Sequence, residues 1–207
     1  VVVLEADGDE RGRFGERGPG EAALSGPRGV AVSPATRYLT IADRGQRRLA
    51  MAHAYGELRT HWLAGWGLDV TDLDPFDVVV EARPNDGLLD EVVTVVDRAA
   101  HRVLRARYRA PLWERTGGGP DDRWPFARPE AVAQAGRQLY VADTGNDRIQ
   151  RLDLAGDGRT DRVFGARGTA PGAFDRPTGV DVAADGTVVV HDAGNRRLQR
   201  FDADGGL

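Results

Sequence analysis

Four aspartates in this chain are each followed, five residues later, by an arginine: Asp43 and Arg48, Asp97 and Arg102, Asp143 and Arg148, Asp192 and Arg197. A carboxylate beside a guanidinium suits two kinds of work. It can poise an acid–base pair for chemistry, or it can bracket a loop. In the bracket the carboxylate accepts loop N–H groups and the arginine fork, through charge-assisted bonds worth about 1.5–3 kcal/mol each. A catalytic pair is needed once, whereas this one returns every 46 to 54 residues. The expectation is therefore structural: the pair holds a repeated unit together.

Other residues with chemical potential are sparser. Asp153 to Asp161, reading DLAGDGRTD, has the outline of a calcium loop but lacks the dense alternating acids of an EF-hand, so an Asp-Gly turn is the expected reading. Gly117-Gly118-Gly119-Pro120 cannot be a phosphate-binding Walker loop, because the chain contains no lysine, and it reads as a connecting loop. The histidines are His53, His61, His101 and His191. His101 falls in the turn before Arg102 and is expected to be exposed. His191 stands immediately before its aspartate, where the other copies have Ala42, Val96 and Ala142. A larger titratable side chain there is a candidate for contact with a ligand, against the plainer reading of a packing variation.

Composition removes several classes. All 28 basic residues are arginine, which eliminates Schiff-base chemistry and a lysine general base. With no cysteine there are no disulfides and no thiolate-bound metal. A formal net charge of −4 argues against a dedicated nucleic-acid binder. No apolar run approaches the ~18 residues of a membrane span, and no cleavable leader is visible at Val1. The compartment is left open, with an extracytoplasmic location expected if a leader has been removed.

The elements that must position the aspartates are repeated with them. Each aspartate ends a β-rich apolar run, as in LYVAD at 139–143. Upstream of each run a proline opens another short strand, with a valine three residues on: Pro27 and Val30, Pro75 and Val78, Pro129 and Val132, Pro177 and Val180. Proline at the first residue of a strand removes no ladder bond. The small and apolar residues behind it predict a strand buried on both faces. Pro34-Ala35-Thr36, Asn85-Asp86-Gly87, Gly136-Arg137 and Asp185-Gly186 supply the turns between. An aromatic-glycine step, Phe14-Gly15 and Phe164-Gly165 with Trp66-Gly67 as a third instance, closes the unit as an outer strand. Four short strands in a unit of this length, repeated, predict the blades of a β-propeller.

The pattern P-x-G-V-A-V, L-Y-V-A-D-T-G-N-D-R-I-Q, F-G-x-R-G resembles the NHL repeat, with Asp143 to Ile149 nearest its consensus. The expected fold is an all-β, NHL-like β-propeller of four-stranded blades. Residues 1–16 would be the end of a preceding blade, and 27–67, 75–115, 129–165 and 177–205 the repeats; the second carries an insertion at 82–91. The strands so counted, two, three whole sets of four, then three, exceed a closed ring of four by one. The resemblance implies a ring of six, with about 100 residues outside this chain. The remaining blades would come from the same polypeptide or from a partner chain.

For function the resemblance implies first a non-catalytic scaffold that binds a protein, glycan or other polymer through loops at one end. The residues beside each proline, Arg28, Asp77, Glu130 and Thr178, differ from copy to copy and are the candidate binding set together with His191. Similar propellers that are lyases or lactonases hold a metal at the channel mouth. Here those positions offer Arg28-Gly29, Phe76-Asp77, Glu130-Ala131 and Thr178-Gly179, without a histidine. No cofactor is therefore expected, and a divalent cation such as calcium, shared by Asp77 and Glu130, is the lesser alternative. Single-stranded RNA binding by Arg28, Phe76, Trp124 and Phe126 is the third class, disfavoured by the net charge.

Overall fold

The computed structural model describes residues 1–4, 10–13, 15, 17, 23–53, 58–59, 73–85, 88–107, 110–115, 123–155 and 159–207. They form antiparallel sheets joined by turns, with single 3₁₀ turns at Arg44–Gln46 and Thr144–Asn146. The strands are β1 (Val2–Leu4), β2 (Glu10–Arg13), β3 (Pro27–Val32), β4 (Tyr38–Asp43), β5 (Arg48–His53), β6 (Leu58–Arg59), β7 (Pro75–Asn85), β8 (Leu88–Asp97) and β9 (Arg102–Arg107). They continue as β10 (Ala110–Arg115), β11 (Ala131–Ala135), β12 (Gln138–Asp143), β13 (Arg148–Asp153), β14 (Thr160–Phe164), β15 (Pro177–Val182), β16 (Val188–Asp192) and β17 (Arg197–Phe201).

Each sheet keeps sequence order: β1-β2, β3-β4-β5-β6, β7-β8-β9-β10, β11-β12-β13-β14 and β15-β16-β17. The predicted phase holds closely. In every repeat the second strand ends at the motif aspartate and the third begins at the motif arginine. The two face each other in register, as Asp143↔Arg148 and Asp192↔Arg197 do. The turn between them passes through one left-handed residue, Arg47, His101, Asp147 or Arg196, with φ of 53° to 54°. Non-glycine residues adopt that conformation only at a steric cost, which the tight reversal imposes here.

The insertion at 82–91 lengthens the β7–β8 hairpin, of which only 86–87 fall outside the described residues. One feature departs from the sequence reading: the proline-led strand is not always buried on both faces. Val78 and Val132 are buried, but Val30 and Val32 are 55% and 56% exposed. The face of β3 that carries them is left uncovered by the described residues. Trp66-Gly67, Gly117 to Pro120, Asp157 and His61 lie outside the described residues.

The chain divides into two compact units, 1–95 with 105–113, and 96–104 with 114–207. In the first, Leu24, Leu39, Ile41, Ala50 and Ala52 form a core. In the second, Tyr140, Ile149, Phe174, Val188, Val190 and Phe201 do so, with Val180 and Val182 packed against them. Phe201 lies 5.3 Å from Phe164 and 5.5 Å from Phe174, tilted contacts that each add about 0.5–1.5 kcal/mol beyond area burial. Gly165, at φ +83°, makes this possible, since a Cβ there would sit 2.1 Å from the Phe174 ring.

Candidate functional site

The candidate site is the end of each sheet where the proline-led strand starts and the aspartate turn closes. Pairing places both there: Pro27↔Asp43 in one repeat and Pro177↔Asp192 in another. All four motif aspartates are fully buried. Asp143 Oδ1 accepts the Ala127 N–H at 2.7 Å, while Oδ2 accepts Asn146, Arg148 and Gln150 at 2.9, 2.7 and 2.8 Å. Asp192 repeats the set with Asp175 N–H, Asn195, Arg197 and Gln199 at 2.7, 2.8, 2.8 and 3.1 Å. Burial opposes ionisation of Asp192, but the Asp175 N–H, Asn195 and Arg197 outweigh it and hold the carboxyl below the usual carboxylate range.

The earlier repeats carry shorter versions. Asp43 takes the Ser25 N–H at 2.7 Å and Arg48 at 3.2 Å, and Asp97 takes Arg102 at 2.9 Å. Their seventh following residues, Ala50 and Leu104, cannot donate as Gln150 and Gln199 do. The arginines then reach back to carbonyls of the incoming segment: Arg48 to Ala23, Arg148 to Pro125, and Arg197 to Thr169, Ala170 and Ala173. A carboxylate whose lone pairs are filled by fixed protein donors has little capacity left to take a substrate proton.

The candidate binding residues occupy this end, each with a local partner. Arg28 is exposed, its guanidinium 5.3 Å from the centre of the Phe76 ring. Arg44 shares that ring at 5.4 Å and pairs with Asp74 at 2.5 Å. Asp77 accepts the N–H of Val78 at 2.9 Å and sits where a Cβ on Gly29 would fall, 2.4 Å from its Oδ1. Glu130 is paired with Arg98 at 2.8 Å, mostly buried. Thr178 Oγ1 lies 3.1 Å from Nδ1 of the exposed His191. His101 is exposed in its turn, and its Nδ1 accepts the Arg128 N–H at 2.8 Å; Asp147 holds the Arg176 N–H at 2.7 Å in the same way.

In the DLAGDGRTD segment, Asp153 accepts the Ala155 N–H, and Asp161 holds Arg151 by two bonds of 2.9 and 3.1 Å. Among the described residues no three His, Asp or Glu side chains converge as a metal site, and no helix is long and apolar enough to cross a membrane.

Sequence reasoning missed the Arg98–Glu130 pair and the position of Trp124, whose ring centre lies 5.4 Å from the guanidinium carbons of both Arg123 and Arg148. No signal marks either, because both depend on which side chains adjoining segments bring together.

No family model and no curated protein matches the sequence. Solved structures do match. A chain of a nidogen/laminin complex is similar over 87% of this chain and 62% of its own, with a TM-score of 0.65 and 18% identity. A gluconolactonase from Xanthomonas campestris matches over 87% and 60%, with a TM-score of 0.61 and 21% identity. A streptogramin B lyase matches over 86% and 55%, with a TM-score of 0.59 and 13% identity. The chain thus spans somewhat over half of the length of these structures. All three are β-propellers, and repeated four-stranded antiparallel sheets in sequence order are what such a fold is made of: the chain has a β-propeller fold.

Proposed function

We propose that this is an NHL-type propeller acting as a non-catalytic scaffold, which binds a protein or other polymer through the loop ends carrying Arg28, Asp77, Glu130 and Thr178. The observation that carries the reading is the division of labour at those ends. The recurring charges turn inward, as Asp143 does with four donors, while the residue beside each proline changes in charge and size from repeat to repeat. Positions that differ from copy to copy while the aspartate bracket recurs are free to specify a partner. A protein complex, that of nidogen with laminin, stands among the similar structures.

The test compares the protein with its R28A/D77A/E130A/T178A variant. Both are immobilised and exposed to lysate of the source organism, and the captured material is identified by mass spectrometry. A partner retained by the parent and lost by a variant that still melts cooperatively supports the scaffold. Identical capture by the two proteins, or turnover of gluconolactone by the purified protein supplied with calcium, overturns it.

A further inference from the structure

We propose that a groove on the third repeat, separate from the four residues above, binds the oxyanion group of a ligand, phosphate or carboxylate. The groove has a volume of about 590 Å³, and its charged lining is Arg123, Arg148, Arg162, Arg167 and Asp161, with Trp124 beside them. The single acid is already spent. Its carboxylate is held by Arg151 through both oxygens, and Asp161, then Asp204 against the cost of burial, push that arginine above the usual guanidinium range. Four guanidiniums therefore line the groove against one carboxylate that is neutralised from outside it.

The arginines are also short of partners. Arg148 spends Nε on Asp143 and Nη2 on Pro125 O, leaving Nη1 without a hydrogen bond among the described residues. Its counterpart Arg197 is closed in: three carbonyls of the segment before Pro177 take both of its Nη groups. Arg123 has only the Trp124 ring, and the Arg167 side chain makes no hydrogen bond or ion pair among the described residues. Arg162 keeps one loose tie, Nη2 to Asp204 at 3.4 Å, with both side chains well exposed.

Like charges lining one groove repel one another, and an anion there relieves that repulsion. The planar guanidinium fork matches the oxygens of phosphate and carboxylate alike. Trp124 has two guanidiniums against its ring, so it holds arginines in place instead of offering a free stacking platform. This favours an oxyanion over a stacked base.

The probes are tripolyphosphate and citrate, titrated calorimetrically in 0.15 M salt into the protein, into R123Q/R162Q/R167Q and into R137Q/R196Q/R200Q. The second variant removes the same charge from exposed arginines outside the groove. Arg148 is left intact because Asp143 depends on it. At least one anion should bind with one-site stoichiometry, about tenfold or more weakly to the groove variant and nearly unchanged to the control. Whichever anion binds more tightly names the oxyanion. The proposal is overturned if neither anion binds below about 10 mM, if the groove variant binds as the parent does, or if both variants lose affinity equally. Failure here leaves the scaffold reading untouched, since none of its four residues is altered.

Discussion

The third repeat and the first share a motif pair and a valine after the proline, yet surround them differently. Asp143 gathers four donors, and Arg148 completes its bracket at the surface of a groove. Among the described residues Asp43 gathers two; Gln46 turns its amide to Ala23 O, and the buried Nη1 of Arg48 has no hydrogen bond there. Val132 is buried, whereas its counterpart Val30 is more than half exposed. The lesson is that the pair alone closes the turn, while the flanking amides and the neighbouring sheet set how firmly it is held.

The largest expected effect is at the aspartates. Asp143→Ala leaves Arg148, Asn146 and Gln150 without their shared acceptor and should cost about 3–5 kcal/mol in denaturant unfolding. Asp43→Ala, which deprives fewer donors, should cost less. Equal losses would break the comparison. Should Asp143→Ala keep its unfolding midpoint while losing a bound partner, the structural reading of the pair fails altogether.

The amides come next. Gln150→Leu and Gln199→Leu each remove a bond to a buried carboxylate and should cost about 1.5–3 kcal/mol. The valines should separate as sharply: Val132→Ala should cost about 1.5–3 kcal/mol, and Val30→Ala under about 0.5 kcal/mol. A similar loss at Val30 would show that its face is covered in the protein as it exists.

Smaller is the acid response. The Asp192 carboxyl is depressed when folded, so its contribution is present above the unfolded value near 4 and is lost as pH falls through the lower folded value. Stability measured from pH 6 to 2 should fall below about pH 4, and less steeply in Asp192→Asn. R28A/D77A/E130A/T178A should cost about 1.5–3 kcal/mol, chiefly through the mostly buried Arg98–Glu130 pair, and still unfold cooperatively.

Much of the fold was legible because it is local and repeated. The aspartate ends one strand and the arginine begins the next, so two letters five apart fix a turn and its register. Proline-led strands were legible for the same reason, since Pro27, Pro75 and Pro177 open theirs. The surroundings were not. Whether Val30 is covered depends on an adjoining sheet. The groove was hidden further still. Trp124 lies 24 residues from Arg148 in sequence, and nothing at either position announces the other.

The reach of the aspartate Oδ1 has a kinetic consequence. In three repeats it takes the N–H two residues before the proline, from Ser25, Ala127 or Asp175, across 16 to 18 residues. Closing a loop that short forfeits little chain entropy. Each of these three repeats therefore carries its own clasp, which can shut before later repeats have been made. Contacts of such short sequence separation favour fast folding for an all-β chain. They also confine an error in one repeat to that repeat, so a chain assembled this way tolerates unequal copies.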